Sequence, residues 1–535
     1  MRSQIAVRHK RRILCVFPRY TPSFGTFEHA YRLMGVRAFM PPQGILVIAA
    51  YLPEAWDVRF VDENIHVAAA ADLDWADVVL VSGMHIQRGA MQDIARRAHA
   101  RGKACALGGP SVSACPQHYP DFDYLHIGEV GDATDGLIAA IDDDVGRPLT
   151  QQRFETRERL PLPDFPIPAY HLIERGRYML GSVQFSSGCP YRCEFCDIPA
   201  LYGRQPRLKE PKQILAELDA LLARGPFGAV YFVDDNFIAN RKAARDLMPH
   251  LVAWQKERGY PVQFACEATL NIANLPDLLQ SMRQAYFCTV FCGIETPELP
   301  ALDAMSKRHN LAVPLLEGVE ILNRHGMEVV SGIILGLDTD TSDTVLRINE
   351  FVDRSQIPLL AINLLQALPR TPLWDRLEAA HRLVDDPELE SNVVFTRPYQ
   401  DVVESWLQCV RHAYEPEALY ARFEHNARHT FPNRIKPPVT SARLNLPNIR
   451  KALTCLFNIF LQIGCLGRYR RTFWRMAWPA LRSGRVEELI HIAVVAHHLI
   501  TYARECEEGR QMASNYATRP ASTSRRRLAE GETLG

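Results

Sequence analysis

Three cysteines in the run Ser186-Ser187-Gly188-Cys189-Pro190-Tyr191-Arg192-Cys193-Glu194-Phe195-Cys196-Asp197 constrain this chain more than any other feature. Their C-x3-C-x2-C spacing lets three thiolates hold three corners of a four-iron, four-sulfur cluster and leaves the fourth iron without a protein ligand. An open iron is a place where a small molecule can chelate and receive an electron. With 13 cysteines in 535 residues, about 0.008 chance matches to one fixed three-cysteine pattern are expected, so coincidence does not account for it. A zinc knuckle would need a fourth nitrogen or sulfur ligand, and neither His171 nor Cys266 stands near the run. A disulfide with a spare thiol would need an oxidising compartment, which nothing else in the sequence indicates.

The chain carries 61 basic and 61 acidic residues, a balance that gives no electrostatic footprint for nucleic acid. At 47% hydrophobic and 23% charged it has a globular composition, with room for about three domains. The basic start, Met1 to Arg12, is followed by an apolar run at 13–17 that is too short for a signal segment and reads as a buried strand. Thiols scattered through apolar strands point to a reducing cytoplasm.

From residue 12 to about 145, short apolar strands (13–17, 58–62, 78–82, 104–108 and 124–128) alternate with helical patterns at 43–52, 88–100 and 133–141. Apolar strands flanked by helices predict an α/β, doubly wound, Rossmann-like or flavodoxin-like domain with a parallel sheet covered on both faces. Its ligand is expected beyond the carboxyl ends of the strands. Gly83, Met84, His85, Gly108, Gly109, Gly128 and Glu129 stand at those ends, where glycines allow close approach of a bulky flat ligand. No G-x-G-x-x-G follows the first strand, which argues against a dinucleotide. A proline-dense stretch at 160–168 marks a spacer.

Residues 180–370 repeat strand then helix six times, predicting a partial (β/α)6 barrel with the three cysteines after its first strand. Other strand ends are polar: Asp234, Asp235 and Asn236, then Glu267, Glu295 and Asp338. Asp235 and Asn236 could equally cap the next helix. Beyond residue 400 the periodicity is helical. The apolar stretch 452–467 is too short and too interrupted to span a bilayer. The mixed basic and aromatic run 468–478 suits either a membrane surface or a solvated basic helix face. The expected domains are therefore 1–145, a linker at 146–179, a barrel at 180–395, a mostly helical domain at 396–512 and a disordered tail at 513–535.

Cys189, Cys193 and Cys196, with Phe195 before the last of them, resemble the signature of the radical S-adenosylmethionine superfamily. The resemblance implies a [4Fe-4S] cluster on the three cysteines. It also implies S-adenosylmethionine held by Phe195, by Asp234, Asp235 and Asn236 in place of the usual Gly-Gly-Glu run, and by Glu295, Gly332 and Gly336. The first block resembles the cobalamin-binding domain of one branch of that superfamily, which implies methylcobalamin on Gly83, Met84, His85, Gly108, Gly109, Gly128 and Glu129. The usual Asp-x-His-x-x-Gly motif is absent, so His85 is the one candidate for a lower cobalt ligand. Nearly the whole chain resembles the bacterial hopanoid C-2 methylases. The matching stretches include 15–29, 81–88, 184–189, 231–237, 266–271 and 362–367. That implies radical C-methylation of ring A of a triterpenoid lipid, with catalysis carried by the cofactors, and an electron donor such as a flavodoxin or ferredoxin. The expected place is the cytoplasm, with peripheral contact to the inner membrane and no nucleic-acid partner. Rival readings are a cobalamin-dependent radical enzyme that methylates or cyclises another secondary metabolite, and a non-catalytic metal sensor with a flavin domain.

Overall fold

The computed structural model describes residues 5–438, apart from 385, 387 and 388, and residues 446–511. The expected tail at 513–535 lies outside them. The chain forms two compact units, one from Met1–Thr21, Met40–Pro190 and Asp197–Phe227, the other from Pro22–Phe39, Tyr191–Cys196 and Gly228–Gly535.

In the first unit six strands form one parallel sheet: β1 Arg12–Phe17, β2 Asp57–Asp62, β3 Val78–Ser82, β4 Ala104–Gly108, β5 Tyr124–Ile127 and β6 Gln152–Glu155. Their order is β2-β1-β3-β4-β5-β6. Side chains alternate between two apolar layers. Ile13, Cys15, Leu80 and Ala106 pack toward helices Gln43–Tyr51 and Asp132–Asp143. Leu14, Val16, Val81 and Leu107 pack toward helix Arg88–His99. This is the doubly wound sandwich expected from its continuous apolar strands, and the 2-1-3-4-5 order is the flavodoxin-like variant. Strand β6 falls inside the stretch read as a linker at 146–179. Three of its four residues are exposed, so the pattern carried no apolar run, and an edge strand needs none. Three short strands follow in the same unit: β7 Gly181–Val183, then β8 Ser186–Ser187 paired antiparallel with β9 Arg207–Leu208.

The second unit contains β10 Ala229–Phe232, β11 Gln263–Glu267, β12 Phe287–Glu295, β13 Glu328–Leu335 and β14 Leu359–Leu364. They pair in parallel in chain order, with helices such as Arg241–Glu257, Leu315–Arg324 and Thr344–Ser355 between them. The C-terminal helices belong to this same unit rather than standing apart at residue 396. Trp406 on helix Tyr399–Tyr414 donates its indole N–H to the Ile362 carbonyl at 2.8 Å, which ties that helix to β14. A second departure concerns residues Pro22–Phe39, which the sequence reading placed with the first domain and which pack in the second unit. Their apolar side chains, Phe24 and Leu33 among them, are buried, and Phe24 stacks on Tyr414 and meets Tyr502 edge-on. Core formation outweighs sequence proximity there.

Candidate active site

The cysteine run begins in a tight corner. Gly188 has φ of +95°, and a Cβ there would lie 2.9 Å from the Gly203 carbonyl. Only glycine lets the Cys189 N–H donate to that same carbonyl at 3.2 Å. None of the described cysteines is in a disulfide. In the second unit the stretch from Tyr191 to Cys196 is clamped from two sides. The Glu194 N–H donates to the Met305 carbonyl at 2.9 Å, and the Glu194 carbonyl accepts from the Leu373 N–H at 3.0 Å. The Glu194 carboxylate binds Arg376 at 2.5 Å, and Arg376 also binds Asp338 at 2.7 Å.

A buried cation stands beside these thiols. The Lys307 ammonium lies 2.6 Å from Glu295 Oε1 and 5.4 Å from the centre of the Phe195 ring. Burial pulls its pKa down, but the Glu295 carboxylate, and Cys193 and Cys196 as thiolates, push it further up, so Lys307 is held charged. A cation here suits an anionic iron-sulfur cluster, and three cysteines are the donor set that such a cluster takes. Glu295 itself has φ of +68° and lies at a register shift between β12 and β13. The bulge turns its carboxylate toward Lys307. A Cβ on Gly293 would press to 2.9 Å from the Lys307 ammonium, so that glycine makes room for the pair. Gly332 faces Glu295 Oε2, 3.4 Å from where its Cβ would stand. Gly336, with φ of +91°, packs under Phe395, and its N–H donates to Asp340 at 2.7 Å.

After β10, Asp234 and Asn236 are buried. Asn236 contacts Thr269 at 3.5 Å, Thr269 donates to Asn271 at 2.8 Å, and Asn271 donates to the Tyr191 hydroxyl at 2.8 Å. Tyr191 in turn stacks on His309 with ring centres 3.9 Å apart. This chain joins the ends of two strands to the cysteine run. Glu267 accepts from the Tyr231 hydroxyl at 3.3 Å. Burial, with Asp235 and Asp234 close by, pushes its pKa up to about 7.

At the carboxyl edge of the first unit's sheet, the order reverses between β1 and β3, the switch point where such sheets bind ligands. Met84, at the end of β3, is 39% exposed, an apolar side chain in the open at that edge. The glycines divide into two kinds. A Cβ on Gly83 would meet Met91, Pro18 and Gln87; one on Gly109 would meet Ser82 and Gly83; one on Gly128 would meet Thr156. Those three are required by the protein's own packing. A Cβ on Gly108 would lie in ordinary van der Waals contact with His126, 3.8 Å away, so packing does not demand glycine there. The solvent-facing Met84 at this edge suits the apolar face of a flat macrocycle. His85 shares a hydrogen bond with Ser111 through Nδ1 at 2.9 Å, and burial, with His118 and Arg88 nearby, lowers its pKa to about 4. Glu129 is held by Arg207 at 2.6 Å and Arg159 at 3.2 Å.

Lys307, Tyr191, His309 and Arg207 were missed by sequence reasoning. Lys307 and His309 sit in a polar loop, 306–310, whose composition looks like ordinary surface.

Family models match three successive segments: the B12 binding domain at residues 34–138, the radical SAM superfamily at 183–352 and a domain of unknown function (DUF4070) at 371–512. The hopanoid C-2 methylase of Rhodopseudomonas palustris (strain TIE-1) is 60% identical over 510 residues, covering 95% of this chain and 97% of that protein. The chain belongs to the hopanoid C-2 methylase family of radical SAM enzymes. It is a cobalamin-dependent, S-adenosylmethionine-dependent radical methyltransferase whose cofactors are a [4Fe-4S] cluster, S-adenosylmethionine and cobalamin. Two solved structures share the fold. The cobalamin-dependent radical enzyme OxsB, with aqua-cobalamin and S-adenosylmethionine bound, has a TM-score of 0.57 at 13% identity, covering 98% of this chain and 84% of that one. The methyltransferase TsrM of Kitasatospora setae, with cobalamin and a [4Fe-4S] cluster, has a TM-score of 0.54 at 16% identity, covering 91% and 99%.

Proposed function

We propose that the protein adds a methyl group to C-2 of ring A of a hopanoid. The observation that carries this reading is the 60% identity, over 95% of the chain, to a protein named for that reaction. An unactivated ring carbon has no acidic proton and no lone pair, so neither a base nor direct sulfonium transfer can methylate it. When bound, the cofactors supply a hydrogen-abstracting 5′-deoxyadenosyl radical and a cobalt-borne methyl group. The protein holds and orients them. Cys189, Cys193 and Cys196 hold the cluster, and Lys307 balances its charge. Phe195, Asp234, Asp235, Asn236, Glu295, Gly332 and Gly336 line the S-adenosylmethionine site, with the Tyr191–Asn271 bond keeping the cysteine run in place. Met84 and Gly108 receive the cobalamin face, with Gly83, His85, Gly109, Gly128 and Glu129 shaping the loops around it. The reductant is a flavodoxin or ferredoxin in the cytoplasm.

No helix among the described residues is long and apolar enough to cross a membrane. Helix Leu446–Ile459 leaves Leu446, Ile449, Leu453 and Phe457 exposed at spacings of three and four, on one face. Arg450 on the same helix and Arg470, Arg471 and Arg475 on helix Arg470–Arg482 are exposed as well. We take this surface to rest on an anionic bilayer, from which the lipid substrate is drawn.

The test is expression in a bacterium that makes only unmethylated hopanoids, followed by lipid mass spectrometry. The expected result is a ring-A methylated hopanoid that disappears with Cys189→Ala. Active cleavage of S-adenosylmethionine without that product would sink the substrate assignment and leave the rival, another secondary metabolite, in its place.

A further inference from the structure

We propose that Glu28, His29 and His498 form a divalent-metal site of the zinc class, which pins helix Glu28–Met34 to the last helix, Val486–Glu507. One donor atom from each of the three lies within 4.8 Å of the others. All three belong to the second unit, and none takes part in the cofactor sites described above.

The tautomer of His498 is set by its surroundings. Its ring is fully buried, and Nε2 lies 3.1 Å from the Ser23 carbonyl and 3.2 Å from the Phe24 carbonyl. Two carbonyls accept only, so Nε2 carries the proton and Nδ1 keeps its lone pair. Nδ1 is buried with no hydrogen-bond partner. A histidine that donates one N–H to backbone carbonyl and leaves the other nitrogen bare is arranged as metal-binding histidines are. Glu28 Oε1 is likewise buried without a hydrogen-bond partner, and at 3.8 Å from His29 Nε2 it is beyond hydrogen-bond reach.

Two acceptor atoms left bare in one buried spot are costly unless a cation joins them. Glu505 stands next to the group, 3.0 Å from His29 Nε2, with its carboxylate also held by Arg510 at 3.2 Å and Gln511 at 3.0 Å. Imidazole nitrogens and a carboxylate oxygen are donors that zinc takes in tetrahedral sites. The three cysteines offer a different, all-sulfur donor set, so the two sites are separable by spectroscopy.

Zinc itself is the probe. Full-length, anaerobically prepared holoenzyme is equilibrated with zinc, and its metal is counted by mass spectrometry and viewed by X-ray absorption at the zinc edge. The expected result is about one zinc per chain with nitrogen and oxygen neighbours only. Glu28→Gln should weaken binding by at least about 10–100-fold, since even changes outside the ligand set do that much. His29→Gln provides a second variant, read against unchanged iron content and circular dichroism. Absence of zinc, sulfur neighbours around it, or undiminished affinity in a folded variant would each overturn the proposal.

Discussion

At the scale of single residues, the Lys307–Glu295 pair places two opposite charges where water scarcely reaches, with side chains 8% and 11% exposed. Removing one partner leaves the other charge uncompensated, whereas removing both spares that penalty. Lys307→Met should therefore lower stability by roughly 3–5 kcal/mol, and Lys307→Met combined with Glu295→Gln should recover much of it. Unfolding of the wild type, both single variants and the double variant in denaturant measures the coupling. Independent, additive losses would show that the two charges do not act as a pair. The cysteines were legible from spacing alone because ligand chemistry demands that spacing. Lys307 was not, because Glu295 meets it across a turn of 12 residues with no periodic pattern, and the cysteine run that it also faces lies far upstream in the chain. The glycines were half legible. Gly83, Gly109 and Gly128 stood out in the sequence, but what they accommodate is neighbouring protein.

At the scale of elements, the parallel strands were readable because burial on both faces writes itself as an unbroken apolar run, as in Val78–Ser82. Strand β6 carries one apolar residue, and the helices Ala70–Trp75 and Pro110–Ala114, of six and five residues, are too short to show a helical period. Helix Leu446–Ile459 shows the opposite case, apolar side chains that find no core. Leu453 and Phe457 are 61% and 66% exposed, and inserting two such side chains into a bilayer contributes on the order of 2–4 kcal/mol. Leu453→Asp with Phe457→Asp should cut binding to vesicles containing anionic lipid by roughly 30-fold or more, while S-adenosylmethionine cleavage in detergent-free solution persists. Sedimentation with such vesicles decides it. Equal binding by wild type and variant would remove the lipid-facing role from this helix.

At the scale of the molecule, the chain does not keep its sequence order when it divides into compact units. Residues Pro22–Phe39 leave the sheet domain that surrounds them in sequence and complete a core made with the final helix. Asn458 reaches the Leu33 carbonyl at 3.2 Å and Tyr502 the Pro22 carbonyl at 3.2 Å. Deleting everything after residue 485 should strip this segment of its cover. Limited proteolysis should then cut within 22–39 first, at sites protected in the full chain, and protection that survives the deletion would contradict the packing. Sequence patterning could not show this, because periodicity reports which side of an element is apolar and not which distant element it meets. Contacts between residues nearly 500 positions apart also impose a timetable on synthesis. A ribosome making this protein releases residues 22–39 early and their partners almost last, so Phe24, Phe27 and Leu33 wait for their cover until translation is nearly complete.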